Sequence, residues 1–205
     1  DQAMAQRILD KYFKEGGRAG APYRPNPTLT VSPSTAAVEL SVAGNFVEVW
    51  LAKEGHDGLV GINFREKIQM ATPTAALGAM LADVDYVLMG AGIPRGIPKL
   101  LTDLAAGRPG GITIDVAGAT KRYTSTVDPV EVMGEYLPQL RRPQFLAIVS
   151  LHSLASYLYR DEELRPDGSI AQRPPAGRHS APPPGTTPLP DAGQRERLQP
   201  LLQDL

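Results

Sequence analysis

Two short apolar runs, residues 59–62 and 86–89, have the length and the β-branched or aromatic content of buried strands, and each stops at small or polar residues. Between them Thr72 and Pro73 offer an N-cap and a first helical residue. Leu77, Met80, Leu81 and Val84 then fall at i, i+3, i+4 and i+7, one apolar helix face. A crossover of this length lets the two strands lie parallel, and parallel strands buried on both faces read as continuous apolar runs. Sheets of this kind build their sites at the carboxyl ends of the strands, which here puts Asn63 and the Gly90-Ala91-Gly92 segment in view.

The same patterning covers most of the chain. Residues 2–15 predict a helix with Met4, Ile8, Leu9, Tyr12 and Phe13 on one side, stopped by Gly16-Gly17. A second helix is expected from Ser32-Pro33 to Glu54, with Val38, Val42, Phe46, Val49 and Trp50 as its stripe. Ile97, Leu100, Leu101, Leu104 and Ala105 mark another, closed by Gly107 and Pro109. Ile112, Ile114 and Val116 then alternate with Thr113 and Asp115, and residues 122–127 can return as the second strand of a hairpin inserted outside the parallel sheet. Asp128, Pro129 and Glu131 open a helix expected to reach about Leu140. Residues 145–149 read as the third core strand, Leu151, Leu154, Ala155 and Leu158 as its following helix, and residues 168–171 as the start of a fourth.

Composition changes the picture at the C-terminus. Seven prolines between Pro174 and Pro190 exclude a helix or central strand, so residues 173–205 are expected to be an extended or disordered tail after a domain spanning residues 1–172. Residues 194–205 carry a weak helical pattern interrupted by Pro200. The net charge of −1 leaves no electrostatic footprint for nucleic acid or an anionic membrane. The absence of cysteine removes disulfides and thiolate chemistry and fits a reducing, cytoplasmic setting. No apolar run has the length of a membrane span, and the first residues carry neither a signal-peptide core nor an initiator Met, so the chain is expected to begin within a longer gene. His56, His152 and His179 show no metal-ligand spacing, and no Gly-x-Ser-x-Gly elbow surrounds Ser150 or Ser153.

Residues 45–58, the Gly61-Ile-Asn-Phe-Arg-Glu-Lys-Ile-Gln run, residues 84–94 and Arg165-Pro-Asp-Gly together resemble the nitronate monooxygenase family, formerly called 2-nitropropane dioxygenases, over about residues 1–185. The resemblance implies an FMN-dependent (β/α)8 TIM barrel that oxidises nitronates with O2 to a carbonyl compound and nitrite. This chain would form a partial barrel, since only three or four βα units are legible and the first and late strands are absent. It further implies that Asn63, Lys67, Gln69, Gly90 and Gly92 bind FMN, with the Asn63 amide at the edge of the flavin ring and the glycines letting backbone approach it. His179 matches the family's functional histidine and would be the base that deprotonates a nitroalkane, its ordinary pKa near 6.5 suiting that task. The family's Gly-Gly-His is here Gly177-Arg178-His179. Two alternatives stand beside this reading: a flavin-dependent enoyl reductase of lipid or polyketide synthesis, and a truncated, non-catalytic remnant or binding module. Each residue also has a plainer role, Asn63 as a strand-end cap, Gly90 and Gly92 as turn glycines, Lys67 and Gln69 as a solvated edge, and His179 as a tail residue.

Overall fold

The computed structural model describes residues 1–17, 20–90 and 92–171. The expected tail lies outside them, as do Arg178 and His179. The protein is mixed α/β. Helices α1 (Gln2–Tyr12) and α2 (Thr35–Lys53) precede strand β1 (Gly61–Arg65). A 3-10 turn, Gln69–Ala71, leads into α3 (Thr72–Leu81), and β2 (Tyr86–Gly90) follows. Helix α4 (Ile97–Ala105) then leads to β3 (Gly110–Ile114) and β4 (Tyr123–Val127), an antiparallel hairpin separate from the main sheet. A five-residue α5 (Pro129–Met133), β5 (Gln144–Val149), α6 (His152–Tyr159) and β6 (Gly168–Ala171) complete the described chain.

Among the described residues the main sheet has four strands in the order β1-β2-β5-β6, every pair parallel. Register sorts each strand into two faces, because side chains alternate with period 2. Val87 pairs with Phe145, and Met89 with Ala147, so these side chains share one face with Val149. That face is the core: all five are at most 1% exposed, and they cluster with Leu77 and Met80 of α3, Leu100, Leu101 and Leu104 of α4, and Leu158 of α6. The opposite face carries Tyr86, Leu88, Leu146 and Ile148, which are only half-buried, and Ile170, which is exposed. None of these five belongs to the core cluster or packs against it. Among the described residues the layers are thus asymmetric, with the crossover helices α3, α4 and α6 on one face of the sheet.

Several expectations shift for identifiable reasons. Helix α3 is buried along residues 72–80 because α2 crosses it closely at Gly78, where a Cβ would lie 2.2 Å from the Val42 carbonyl oxygen. Thr72 is the first helical residue rather than the N-cap, and its hydroxyl donates back to Ile68 O. The α2 stripe holds for Val42 and Val49, but Trp50 stacks on Phe46 and stays 58% exposed. Helix α1 stops at Tyr12, and Leu9 within it and Phe13 just past it are both exposed. Asp128 caps α5 through the Val130 and Glu131 amides, but the helix ends at Gly134, whose φ of 55° favours glycine, well before Leu140. Residues 168–171 do form the fourth parallel strand.

At the amino end of the sheet, one carboxylate gathers three elements. Asp85 accepts from Val60 N at 2.9 Å, from Lys53 at 3.1 Å and from Arg141 at 2.8 Å, while Arg141 also donates to Asp83 at 2.7 Å. Burial pushes the Asp85 carboxyl upward, and the bonds from Val60, Lys53 and Arg141 outweigh it, holding the group below its ordinary range. This cluster locks α2, β2 and the approach to β5 together at the end of the sheet away from the candidate site.

Candidate functional site

The carboxyl ends of β1 and β2 set the geometry. Asn63 lies in the middle of β1 rather than just past it, because the strand continues through Phe64 to Arg65. Its register partner is Leu88, so its side chain stands on the open face, exposed and without a hydrogen-bond partner among the described residues. Gly90, at the end of β2, shares that face two positions beyond Leu88. A Cβ there would meet the Ile148 Cβ at 2.9 Å, so the glycine lets Ile148 lie against β2 and keeps the floor low beside Asn63. Across the face, Asn63 is in line with Leu88, Leu146 and Gly168, and Arg65 with Gly90. A polar edge on β1 therefore borders an apolar floor on the other three strands.

The loop after β1 forms a second, adjoining group. Glu66 N donates to Gly90 O at 3.3 Å, tying the two strand ends together. Gln69 donates through Nε2 to Glu66 at 2.8 Å and accepts from Asp115 N at 3.0 Å, so it joins the β1 loop to the end of the hairpin. Ser125 makes a parallel tie by donating to Met70 O at 3.0 Å. Gly92 is needed beside this group, since a Cβ would fall 2.2 Å from a Glu66 carboxylate oxygen. A cleft of about 710 Å³ opens here, with Glu66, Gln69, Met89, Arg95, Asp115 and Lys121 among its lining. The Arg95 guanidinium, also at this end, lies 5.4 Å from the Tyr157 ring centre.

The residues singled out in the sequence thus divide. Asn63 and Gly90 come together on the open face. Gln69 and Gly92 meet around Glu66 in the adjoining cleft, where both side chain and backbone are already engaged in holding the loop. Lys67 is exposed and makes no hydrogen bond or ion pair among the described residues. His179 lies outside the described residues. His56 closes its own loop, bonding Ala52 O at 2.7 Å and accepting from Gly58 N at 2.9 Å, while His152 begins α6 and is exposed. Glu66, Arg95 and Asp115 escaped the sequence reading. Glu66 had a signal, since it sits between Asn63 and Gln69 in the same run, but Asp115 reaches the cleft only through the hairpin.

Among the described residues no group of His, Asp or Glu is placed to hold a metal ion, and no helix is long and apolar enough to cross a membrane. No family model matches the chain, and neither a curated protein nor a solved structure matches it.

Proposed function

We propose that the protein is part of an FMN-dependent oxidoreductase related to nitronate monooxygenase, built on a partial (β/α)8 barrel. The observation that carries this reading is the sheet: four parallel strands in sequential order, helices on one face, and Asn63 with Gly90 together on the other. Sequential order with crossovers on one side is the arrangement of a barrel wall, whereas a doubly wound sheet reverses its strand order and carries helices on both faces. The residues present suit the ring of a flavin. Gly90, Ile148 and Ile170, the inward positions at the carboxyl ends of β2, β5 and β6, offer an apolar floor, and the unpartnered Asn63 amide offers both a donor and an acceptor at its margin.

In this reading bound FMN supplies the oxidation of the nitronate with O2. The chain's own residues position the ring and the substrate: Asn63 bonds the ring edge, Gly90 leaves room, and the Glu66–Gln69 tie fixes the two strand ends. His179 takes the proton from the carbon beside the nitro group when the substrate arrives as a neutral nitroalkane.

The test is FMN titration followed by flavin fluorescence, with nitrite release from a nitronate measured in parallel. Loss of a buried hydrogen bond worth about 1–3 kcal/mol predicts that Asn63→Ala weakens FMN binding by roughly 5- to 150-fold. Equal FMN affinity for the two proteins removes Asn63 from the site. No FMN binding by the unaltered chain refutes the flavin reading for this chain, and reduction of an enoyl thioester at the expense of an added nicotinamide hydride donor, without nitronate oxidation, assigns it to the reductase alternative.

A further inference from the structure

Charge is sorted along the sheet. At its amino end Lys53 and Arg141 are paired with Asp83 and Asp85. At its carboxyl end five cations stand without an ion pair among the described residues. Arg65 ends β1, Lys67 follows it, Arg95 lies in the loop after β2, and Lys121 and Arg122 come just before β4. All five are exposed. Against them stand Glu66, which accepts from the neutral Gln69 amide at 2.8 Å, and Asp115, which forms no ion pair among the described residues. In a chain of net charge −1 this end therefore keeps an excess of positive charge.

Three of the five, Arg95, Lys121 and Arg122, line the cleft of about 710 Å³ beside Glu66 and Asp115. That volume is the size of a small-molecule site, and a concave surface of one dominant sign concentrates its field on a ligand of the other. Lys99 lines the cleft as well, but Asp103 neutralises it. Two of the cations are steadied by aromatic rings: Arg95 lies 5.4 Å from the Tyr157 ring centre and Lys121 lies 5.2 Å from that of Tyr123. A ring contact restricts where the cation sits and leaves its N–H donors unspent. Gly96 and Ile97 open α4 on the same cleft, and with neither a side-chain cap nor a carboxylate in its first turn the helix adds to the positive field.

We propose that this cleft binds a phosphate-bearing small molecule, with Arg95 donating to the phosphate oxygens and Lys121 and Arg122 as the flanking charges. The excess of cations calls for a ligand of more than one negative charge. A phosphate monoester carries about −1.5 to −2 near pH 7, whereas a carboxylate carries one. The planar guanidinium of Arg95 also matches two phosphate oxygens at once. The site needs no bound flavin, so it stands apart from the function proposed above. The phosphate can belong to a cofactor or to a separate substrate.

Titration calorimetry with inorganic pyrophosphate in a phosphate-free buffer tests the site. The unaltered chain should bind at one saturable site, more weakly as NaCl is raised. Arg95→Gln should weaken binding by at least about tenfold, since it loses charged hydrogen bonds, and Lys121→Gln and Arg122→Gln by roughly 2- to 5-fold each. Arg95→Lys keeps the charge and should weaken it less than Arg95→Gln. Lys14→Gln removes another exposed cation that has no ion pair among the described residues, and should change nothing. The substituted residues are all exposed, so urea midpoints should stay in place. No saturable binding at millimolar pyrophosphate overturns the proposal, as does binding that none of the three cleft substitutions to Gln weakens. Succinate bound as tightly as pyrophosphate overturns the choice of phosphate. FMN titration of the same proteins separates the sources: pyrophosphate that displaces FMN assigns the phosphate to the cofactor, and pyrophosphate bound alongside FMN assigns it to a substrate. Pyrophosphate binding by a chain that takes up no FMN leaves this site standing while the flavin reading fails.

Discussion

Replacing Gly78 by alanine should destabilise the protein although alanine is the better helix former. Helix propensity alone favours the change by about 1 kcal/mol. Against it, the new Cβ would sit 2.2 Å from the Val42 carbonyl oxygen and 3.0 Å from the Asn45 Cβ, and the first of these neighbours is backbone, which cannot rotate away. An ordinary contact of 3.4 Å or more requires α2 to withdraw from α3 by roughly 1 Å, loosening Val42 and Val49 from the core. Overpacking of this kind costs about 1–3 kcal/mol and more where backbone must move, so we take about 3 kcal/mol for the clash and a net loss of about 2 kcal/mol. Urea unfolding measures it, and for a chain of this size the melting temperature should fall by roughly 4–8 °C. Gly44→Ala in α2 is the matched control: a Cβ there meets nothing within 4 Å, so propensity acts alone and stability should rise by about 0.5–1 kcal/mol. If Gly78→Ala is as stable as the unaltered protein, the close crossing of α2 and α3 is wrong.

Three further outcomes follow from the same geometry. Asp85→Asn should destabilise by about 2–3 kcal/mol at pH 7, since it removes a carboxylate with three donors, and urea midpoints will show it. Because the folded Asp85 is held below its ordinary pKa, its contribution is complete above about pH 4 and is lost as pH falls through the folded value; the difference between Asp85→Asn and the unaltered protein should therefore shrink below about pH 4. Gly92→Ala should displace the Glu66 carboxylate and speed hydrogen exchange at the Asp115 amide, which Gln69 holds in place; unchanged exchange there would separate the two groups.

Helix α4 and the β3–β4 hairpin were legible in the sequence because each carries one clean period, 3.6 for Ile97, Leu100, Leu101 and Leu104, and 2 for Ile112 and Ile114. Helix α2 was harder. It is apolar nearly all round, so its pattern names no single inner face, and the crossing at Gly78 turns Val42 and Val49 inward and leaves Trp50 out. The site shows the same limit. Asn63, Gly90 and Gly92 are adjacent in the reading of the chain, yet which of them share a surface depends on strand register, and β1 running on to Arg65 put Asn63 within the strand. Gln69 read as a flavin contact or else a solvated edge, and its actual partners, Glu66 and the Asp115 amide, were hidden because they are brought together only by a hairpin far along the chain.

That hairpin also shapes how the sheet is assembled. Ile62 meets Val87 across a single helical crossover, whereas Val87 meets Phe145 more than twice as far along the chain. Loop closure grows only logarithmically in cost, about 0.6 kcal/mol per doubling, but contacts of wide separation form late. The hairpin is local, and Ser125 anchors it to the turn before α3. Once folded there, it gathers much of the intervening chain against the first strand–helix–strand unit and shortens the search that β5 must make. The seam between β2 and β5 separates a larger amino-terminal part, residues 1–143, from a smaller carboxyl-terminal one, and a ribosome releasing the chain in order would present them in that sequence.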